Sequence, residues 1–272
     1  MRIITFERNG VVQHGIRTGE LVQLCPNAAS AVDLAVNGAP QSGETVALSE
    51  VTLLPPVPNP GKIICIGLNY RAHAIEGGNA IPDYPAVFMR CTTSLLAPEG
   101  AMIYPECSNK LDYEAELAVI IGKTATNVSA ADALDYVAGY SCFNDGSVRD
   151  YQRKSTQWTM GKNFDGTGGF GPELVTPEEL PSGASGLRLI ARLNGQIMQD
   201  SNTGDMIFDV ATLIATLSEG MTLEPGDVIA TGTPSGVGYA RTPPVFMKPG
   251  DVIEIEIDKI GVLKNTIARR VA

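Results

Sequence analysis

Histidine is almost missing from this chain. His14 and His73 are the only two in 272 residues, so a metal site built mainly from imidazole is excluded and any bound metal must be held by carboxylates. The five cysteines, Cys25, Cys65, Cys91, Cys107 and Cys142, are odd in number and widely spaced, with no C-x-x-C pair for zinc, redox chemistry or a disulfide framework. They read as buried thiols. No segment approaches the roughly 18 apolar residues that cross a bilayer, and Met1 to Arg8 holds no apolar stretch of signal-peptide length. A soluble, cytoplasmic protein with no membrane partner is expected. Basic runs are lacking too: acidic residues outnumber basic ones 30 to 20, for a formal net charge of -10. Such a surface repels phosphate backbones and argues against a nucleic-acid partner.

What the chain does have is 29 glycines, 18 prolines and 44% hydrophobic residues, enough for a sizeable core crossed by many turns. Residues 1 to about 54 alternate short apolar runs with turn residues and then meet Pro55-Pro56-Val57-Pro58-Asn59-Pro60, a stiff extended segment. The expected division is a small N-terminal subdomain with its linker over residues 1–60 and a larger domain over 61–272. Lys62 to Gly67 and Asp112 to Gly122 read as buried strands, and Ser129 with Gly139 frames a short helix over Ala130–Val137. Leu187–Leu193, Asn194-Gly195 and Gln196–Gln199 form a hairpin pattern, and a helix is expected from about Ile207 to Ser218. The pentapeptide Pro-Gly-Asp-Val-Ile occurs at 225–229 and 249–253, each copy a turn leading into a strand. The fold class is α+β and β-rich, with a barrel-like arrangement expected.

Glu114-Ala115-Glu116 puts two carboxylates on one face of a strand, because side chains alternate. Glu254-Ile255-Glu256 has the same spacing, but strict alternation with isoleucine assigns its acids to solvent. Around Glu114 both faces are apolar, and two buried anions side by side call for a divalent cation. Asn144-Asp145 ends the apolar run Val137–Phe143, which places Asp145 to complete a three-carboxylate site for Mg²⁺ or Mn²⁺. His73 and Glu76 are three apart, so on a helical turn the carboxylate can orient the imidazole and raise its basicity. The glycine and proline residues after them suggest a mobile lid that closes over substrate. Gly166 to Gly171 formally matches G-x-G-x-x-G, but no buried strand precedes it and no long helix follows, so a dinucleotide site is rejected. Gly232 to Gly236 reads instead as a loop whose amides could grip a carboxylate.

Several ordered motifs over some 200 residues resemble the fumarylacetoacetate hydrolase family. They are Ile64 to Tyr70 with His73 and Glu76, Leu111 to Leu117, Asn144-Asp145 with Arg149-Asp150-Tyr151-Gln152, Trp158 to Lys162, and Thr231 to Gly238. The resemblance runs from about residue 61 to the C-terminus. It implies a mixed β-roll fold, a homodimer, and Mg²⁺ or Mn²⁺ held by Glu114, Glu116 and Asp145. It also implies that His73 and Glu76 are the lid dyad, that Lys162 contacts substrate oxygens, and that Arg149, Gln152 and Thr233 line the pocket. Where many members have Lys-Pro, this chain has Arg90-Cys91, and Arg90 is expected to read a distal substrate carboxylate or else to mark a purely structural change.

The activity so implied is metal-dependent hydrolysis of the C–C bond of an acylpyruvate such as fumarylpyruvate or maleylpyruvate, in aromatic catabolism. His73 would activate water and Lys162 would oppose the developing oxyanion. The same groups can stabilise an enolate formed by CO₂ loss or a proton shift. The runner-up is therefore a decarboxylase or isomerase of 2-oxo or 2-hydroxymuconate-type diacids, acting on oxaloacetate or 2-hydroxyhepta-2,4-diene-1,7-dioate. A non-catalytic oxo-acid binder is a third reading, opposed by the intact set of candidate residues.

Overall fold

A computed structural model describes residues 1–38 and 43–270. Its centre is the strand Ala115–Ile121, every residue of which is buried. Leu117, Val119 and Ile121 face one core, shared with Leu189, Ile253 and Ile255 and with the helix Val210–Gly220 through Leu213 and Leu217. Ala118 and Ile120 face a second core with Ile63, Cys65, Phe143 and Phe170, roofed by Ala31, Val32 and Leu34 of the helix Ala31–Asn37. Both faces are covered, as the uninterrupted apolar run required.

This strand pairs antiparallel with Val137–Asp145 on one side and Val228–Ala230 on the other, inside a 12-stranded mixed sheet. A second, five-stranded sheet carries the hairpin Arg188–Leu193 and Gln196–Asn202 beside Val252–Ile257. Both sheets are open, so the arrangement is a roll of mixed sheets and the expected barrel closure is not found. The larger sheet ends at Ala86–Arg90, while Arg2–Arg8 pairs with Gly168–Val175 and so threads the N-terminal strands into the same sheet.

Local chemistry explains most boundaries. Asn194 and Gly195 both take positive φ, 52° and 79°, as a two-residue hairpin turn demands. In the repeated pentapeptide, Gly226 and Gly250 take φ of 91° and 94°, and the following aspartates accept from the amides three residues back, Glu224 and Lys248. Asp209 caps the helix Val210–Gly220 by accepting from Thr212, so it starts three residues later than its apolar pattern suggested. The helix expected over Ala130–Val137 is only a 3₁₀ turn, Ala133–Tyr136, because Val137 already belongs to the strand that pairs with Ala115–Ile121. Cys25, Cys65 and Cys142 are buried thiols, but Cys91 and Cys107 lie exposed in loops. Among the described residues no helix is long and apolar enough to cross a membrane.

Candidate active site

Neighbouring strands bring the three acidic residues together. Glu114 immediately precedes Ala115–Ile121, Glu116 lies within it, and Asp145 ends the adjacent strand, where its amide donates to the Glu114 carbonyl at 3.0 Å. One oxygen from each of Glu114, Glu116 and Asp145 lies within 4.8 Å of the other two, and all three residues are buried. The side chain of Asn144 fixes the corner by accepting from the Glu114 amide at 3.0 Å. By contrast, Glu254 and Glu256 are half-buried on the second sheet, and Glu256 pairs with Arg192.

Two short helices supply countercharge. In Thr159–Lys162, Lys162 is fully sequestered and its Nζ donates to Glu114 Oε2 at 2.7 Å and Asp145 Oδ2 at 2.5 Å. The ammonium expected to meet substrate oxygens thus lines the cavity while bridging two carboxylates, the strongest acceptors near it. In Arg149–Gln152, the Arg149 guanidinium bonds Asp112 through Nε at 2.7 Å, Glu114 at 2.6 Å and the Gln152 side chain at 2.9 Å. Gly161 lets the two helices touch, since a Cβ there would fall 2.3 Å from the Gln152 amide nitrogen.

Burial alone would raise the Glu114 carboxyl, but Lys162 and Arg149, with a smaller contribution from His73, hold it at about 2. Glu116 goes the other way. Burial and the neighbouring charges of Asp145 and Glu114 push it well above the ordinary carboxyl range, against the weaker pull of Lys162 and the Gly232 amide. Burial opposes the charge on Lys162, yet Asp145 and Glu114 outweigh it and raise its pKa.

Of the two roles expected for Arg90, the structure favours the structural one over substrate contact. Arg90 does not line the cavity: its guanidinium is buried and spent on Asp145 Oδ1, the Gly146 carbonyl, Ser94 and Thr167. Asp145 sits in the protein interior and needs a permanent partner there, which a planar fork with several donors provides. Four of its five N–H donors are engaged inside the protein, away from the cavity lining.

The helix Arg71–Glu76 carries the dyad. His73 Nδ1 lies 2.8 Å from Glu76 Oε1, and Glu76 Oε2 accepts from the Gly236 amide at 2.9 Å. The segment expected as a mobile lid is thus a formed turn tied to the loop 232–236 at this end, while Gly78 to Ile81 beyond it is exposed. That loop does grip carboxylates, but they are the protein's own, because Gly232 also donates to Glu116 Oε2 at 2.9 Å. Thr233 between them is buried, and its hydroxyl accepts from Gln199 at 2.8 Å.

Several of these groups line a cavity of about 370 Å³. His73, Glu114, Glu116, Lys162 and Thr233 form its polar side, with Arg149 and Gln152 beside them; Ile66, Leu68, Phe88 and Trp158 form an apolar wall. Leu68 sits at φ 57°, a strained position for a bulky residue, pinned by the buried Asn69, whose side chain bonds Phe208 and Thr231. Gly67 makes room for Trp158, whose ring a Cβ would meet at 2.2 Å.

Sequence reasoning gave no role to Asp112, which accepts from Arg149 and from the amides of Tyr113, Gly238 and Tyr239, or to Gln199, which bridges Ala115 and Thr233. Asp112 stands in the Leu-Asp-Tyr that opens the Glu114 segment, a discernible signal; Gln199 lies in an unremarkable hairpin strand.

A roll of mixed sheets with a buried carboxylate triad beside a His–Glu pair defines a carboxylate-centred site of the kind enzymes use, and the comparisons with known proteins point to an enzyme family. Residues 62–268 match the family described as Fumarylacetoacetate (FAA) hydrolase C-terminal, and residues 1–56 match the one described as Rv2993c-like, N-terminal. The chain belongs to the fumarylacetoacetate hydrolase family. An oxaloacetate tautomerase of Bacillus subtilis is 48% identical over 226 residues, 81% of this chain and 74% of that protein. A mitochondrial oxaloacetate tautomerase of Xenopus laevis is 42% identical over 240 residues, 88% and 75% of the two chains. Among solved structures, a fumarylacetoacetate hydrolase from Exiguobacterium antarcticum superposes with a TM-score of 0.87 at 35% identity, covering 99% of this chain and 100% of that one. A 2-hydroxyhepta-2,4-diene-1,7-dioate isomerase from Mycobacterium marinum reaches 0.86 at 31% identity, with both chains fully covered at 100%.

Proposed function

We propose that this protein moves a proton at the carbon beside the carbonyl of a 2-oxo acid, interconverting keto and enol forms as an oxaloacetate tautomerase does. The observation that carries the reading is one small cavity lined by Glu114 and Glu116 of a buried three-carboxylate cluster and by His73 of a His–Glu pair. The tautomerase and isomerase names of similar proteins favour it over acylpyruvate hydrolysis, the leading expectation from the resemblance. Decarboxylation of the same class of diacid is a neighbouring outcome of the same enolate chemistry.

The donor set fits a hard divalent cation, Mg²⁺ or Mn²⁺. All three donors are carboxylate oxygens, and Glu116 accepts a single amide bond and pairs with no cation among the described residues. Bound by Glu114, Glu116 and Asp145, such an ion supplies Lewis-acid stabilisation of the negative charge that an enolate places on oxygen. Glu76 keeps the His73 Nδ1 proton turned toward itself, which leaves Nε2 to take a proton from substrate carbon and return it. Lys162 and Arg149 hold the carboxylates in place and keep positive charge against the site. The apolar wall of Ile66, Phe88 and Trp158 excludes water, so the enolate is not quenched by bulk protons.

Following the enol absorbance of oxaloacetate with Mg²⁺ present, beside a panel of acylpyruvates, tests the assignment. Faster relaxation to the keto–enol equilibrium with no C–C cleavage is expected. Pyruvate release from an acylpyruvate, with oxaloacetate untouched, would return the assignment to hydrolysis.

A further inference from the structure

With Arg90 withdrawn from the cavity, three Arg or Lys side chains line it: Arg149, Arg153 and Lys162. Arg149 is bound to Asp112 and Glu114, and Lys162 to Glu114 and Asp145. Arg153 forms no ion pair with any described residue. Its side chain is exposed, yet it has a seat, because its Cζ stands 4.4 Å from the centroid of the Tyr239 ring. Arg149 Cζ stands at the same 4.4 Å from that ring.

We infer that Arg153, stacked on Tyr239, reads a second carboxylate of the substrate, so that the site selects 2-oxo dicarboxylates over 2-oxo monocarboxylates. The inference rests on the reading above and adds to it the residue that sets the selectivity. Arg149 and Arg153 are one helical turn apart, and the Arg153 amide donates to the Arg149 carbonyl at 3.2 Å, so both leave the chain on one side. Tyr239 is placed firmly by its amide bond to Asp112 at 3.0 Å, and the turn is set by Gly238, where a Cβ would meet the Val245 carbonyl oxygen at 1.9 Å. Two guanidiniums around one ring concentrate positive charge at the cavity wall. Arg149 Nη2 is moreover buried without a hydrogen-bond partner, although its residue is only 4% exposed. A carboxylate is the ligand whose planar acceptors match a guanidinium fork. The ring stack holds Arg153 without consuming its N–H donors.

The test compares two stable 2-hydroxy acids, malate and 2-hydroxybutanoate, which differ at the far end by carboxylate against methyl. Calorimetry in Mg²⁺-containing buffer should give wild-type protein a preference for malate of about 10- to 100-fold in Kd, the worth of a charged hydrogen bond. Arg153→Gln should abolish that preference, with the Kd for 2-hydroxybutanoate moving far less. Arg153→Lys, which keeps the charge but loses the fork, should retain part of it. Tyr239→Phe should retain the preference and Tyr239→Leu should lose it. A wild-type protein that does not discriminate, or an Arg153→Gln protein that discriminates as well as wild type, overturns the inference. Failure of the proton-transfer reading shows separately, as unaccelerated oxaloacetate relaxation while the paired Kd values still respond to Arg153.

Discussion

Removing the partner of a buried carboxylate typically costs about 3–5 kcal/mol, which sets the expectation for Arg90. Its guanidinium holds Asp145, one of three carboxylates that share a cation-sized space. Arg90→Met should therefore lower stability by about that amount in denaturant titration and weaken Mg²⁺ binding, and Arg90→Lys should recover part of both. A variant of normal stability with only a raised KM would put Arg90 back in contact with substrate. His73 is a different kind of residue, held by Glu76 and facing the cavity. His73→Ala should reduce kcat by roughly a hundred-fold or more with little change in KM, as loss of a general base does. Glu76→Gln should show a weaker loss, because an amide keeps a hydrogen bond but not the charge. Calorimetric Mg²⁺ affinity should survive both changes, and its loss would assign the pair to the cation site.

At the level of elements, the same Glu-x-Glu spacing gives opposite outcomes on two strands. Ala115–Ile121 is covered on both faces, whereas Val252–Ile257 buries one face and leaves Glu254 and Glu256 half-exposed. Glu116→Ala is expected to abolish activity and Mg²⁺ binding, while Glu256→Ala, which loses a partly exposed pair with Arg192, should leave turnover intact and cost no more than about 1 kcal/mol. Equal effects of the two changes would sink the assignment of the site. Packing of the helices Arg149–Gln152 and Thr159–Lys162 depends on a missing side chain. Gly161→Ala would drive a methyl group into the Gln152 backbone, so the helices must part and carry Lys162 away from Glu114. A lower denaturation midpoint together with reduced kcat is expected, since overpacking commonly costs about 1–3 kcal/mol.

For the whole molecule, the cluster of Glu114, Glu116, Asp145 and Asp112 sets four carboxyl groups against the three cations Arg90, Arg149 and Lys162. A cation that binds only this folded arrangement stabilises it by mass action. Mg²⁺ should raise Tm in a concentration-dependent way, and EDTA should reverse the rise; a Tm indifferent to both would contradict cation binding. The larger sheet ends in Ala86–Arg90, where Val87 and Met89 are each 39% exposed, an apolar edge of the sort that chains cover by association. Light scattering is expected to report twice the 28.7 kDa chain mass, and a single-chain mass at micromolar concentration would refute a homodimer.

Local chemistry was legible in the residues alone: the Asn194-Gly195 turn, the paired Pro-Gly-Asp turns, the spacing of His73 and Glu76, and the two-sided apolar run around Glu116. Each depends on backbone preference or on side-chain periodicity over a few positions, which neighbours in sequence decide. The allocation of charges did not follow from such rules. Arg90, Lys162 and Arg149 are all cations near acids in the fold, but which of them is consumed internally depends on strands and helices that the chain brings together across separations of 17 residues, as in Lys162 to Asp145, to 55, as in Arg90 to Asp145. Substrate contact and a structural role thus both stayed open for Arg90, and Arg153 passed unnoticed. A buried ion pair is set by distance and dielectric, and both are properties of the assembled interior that no segment carries by itself.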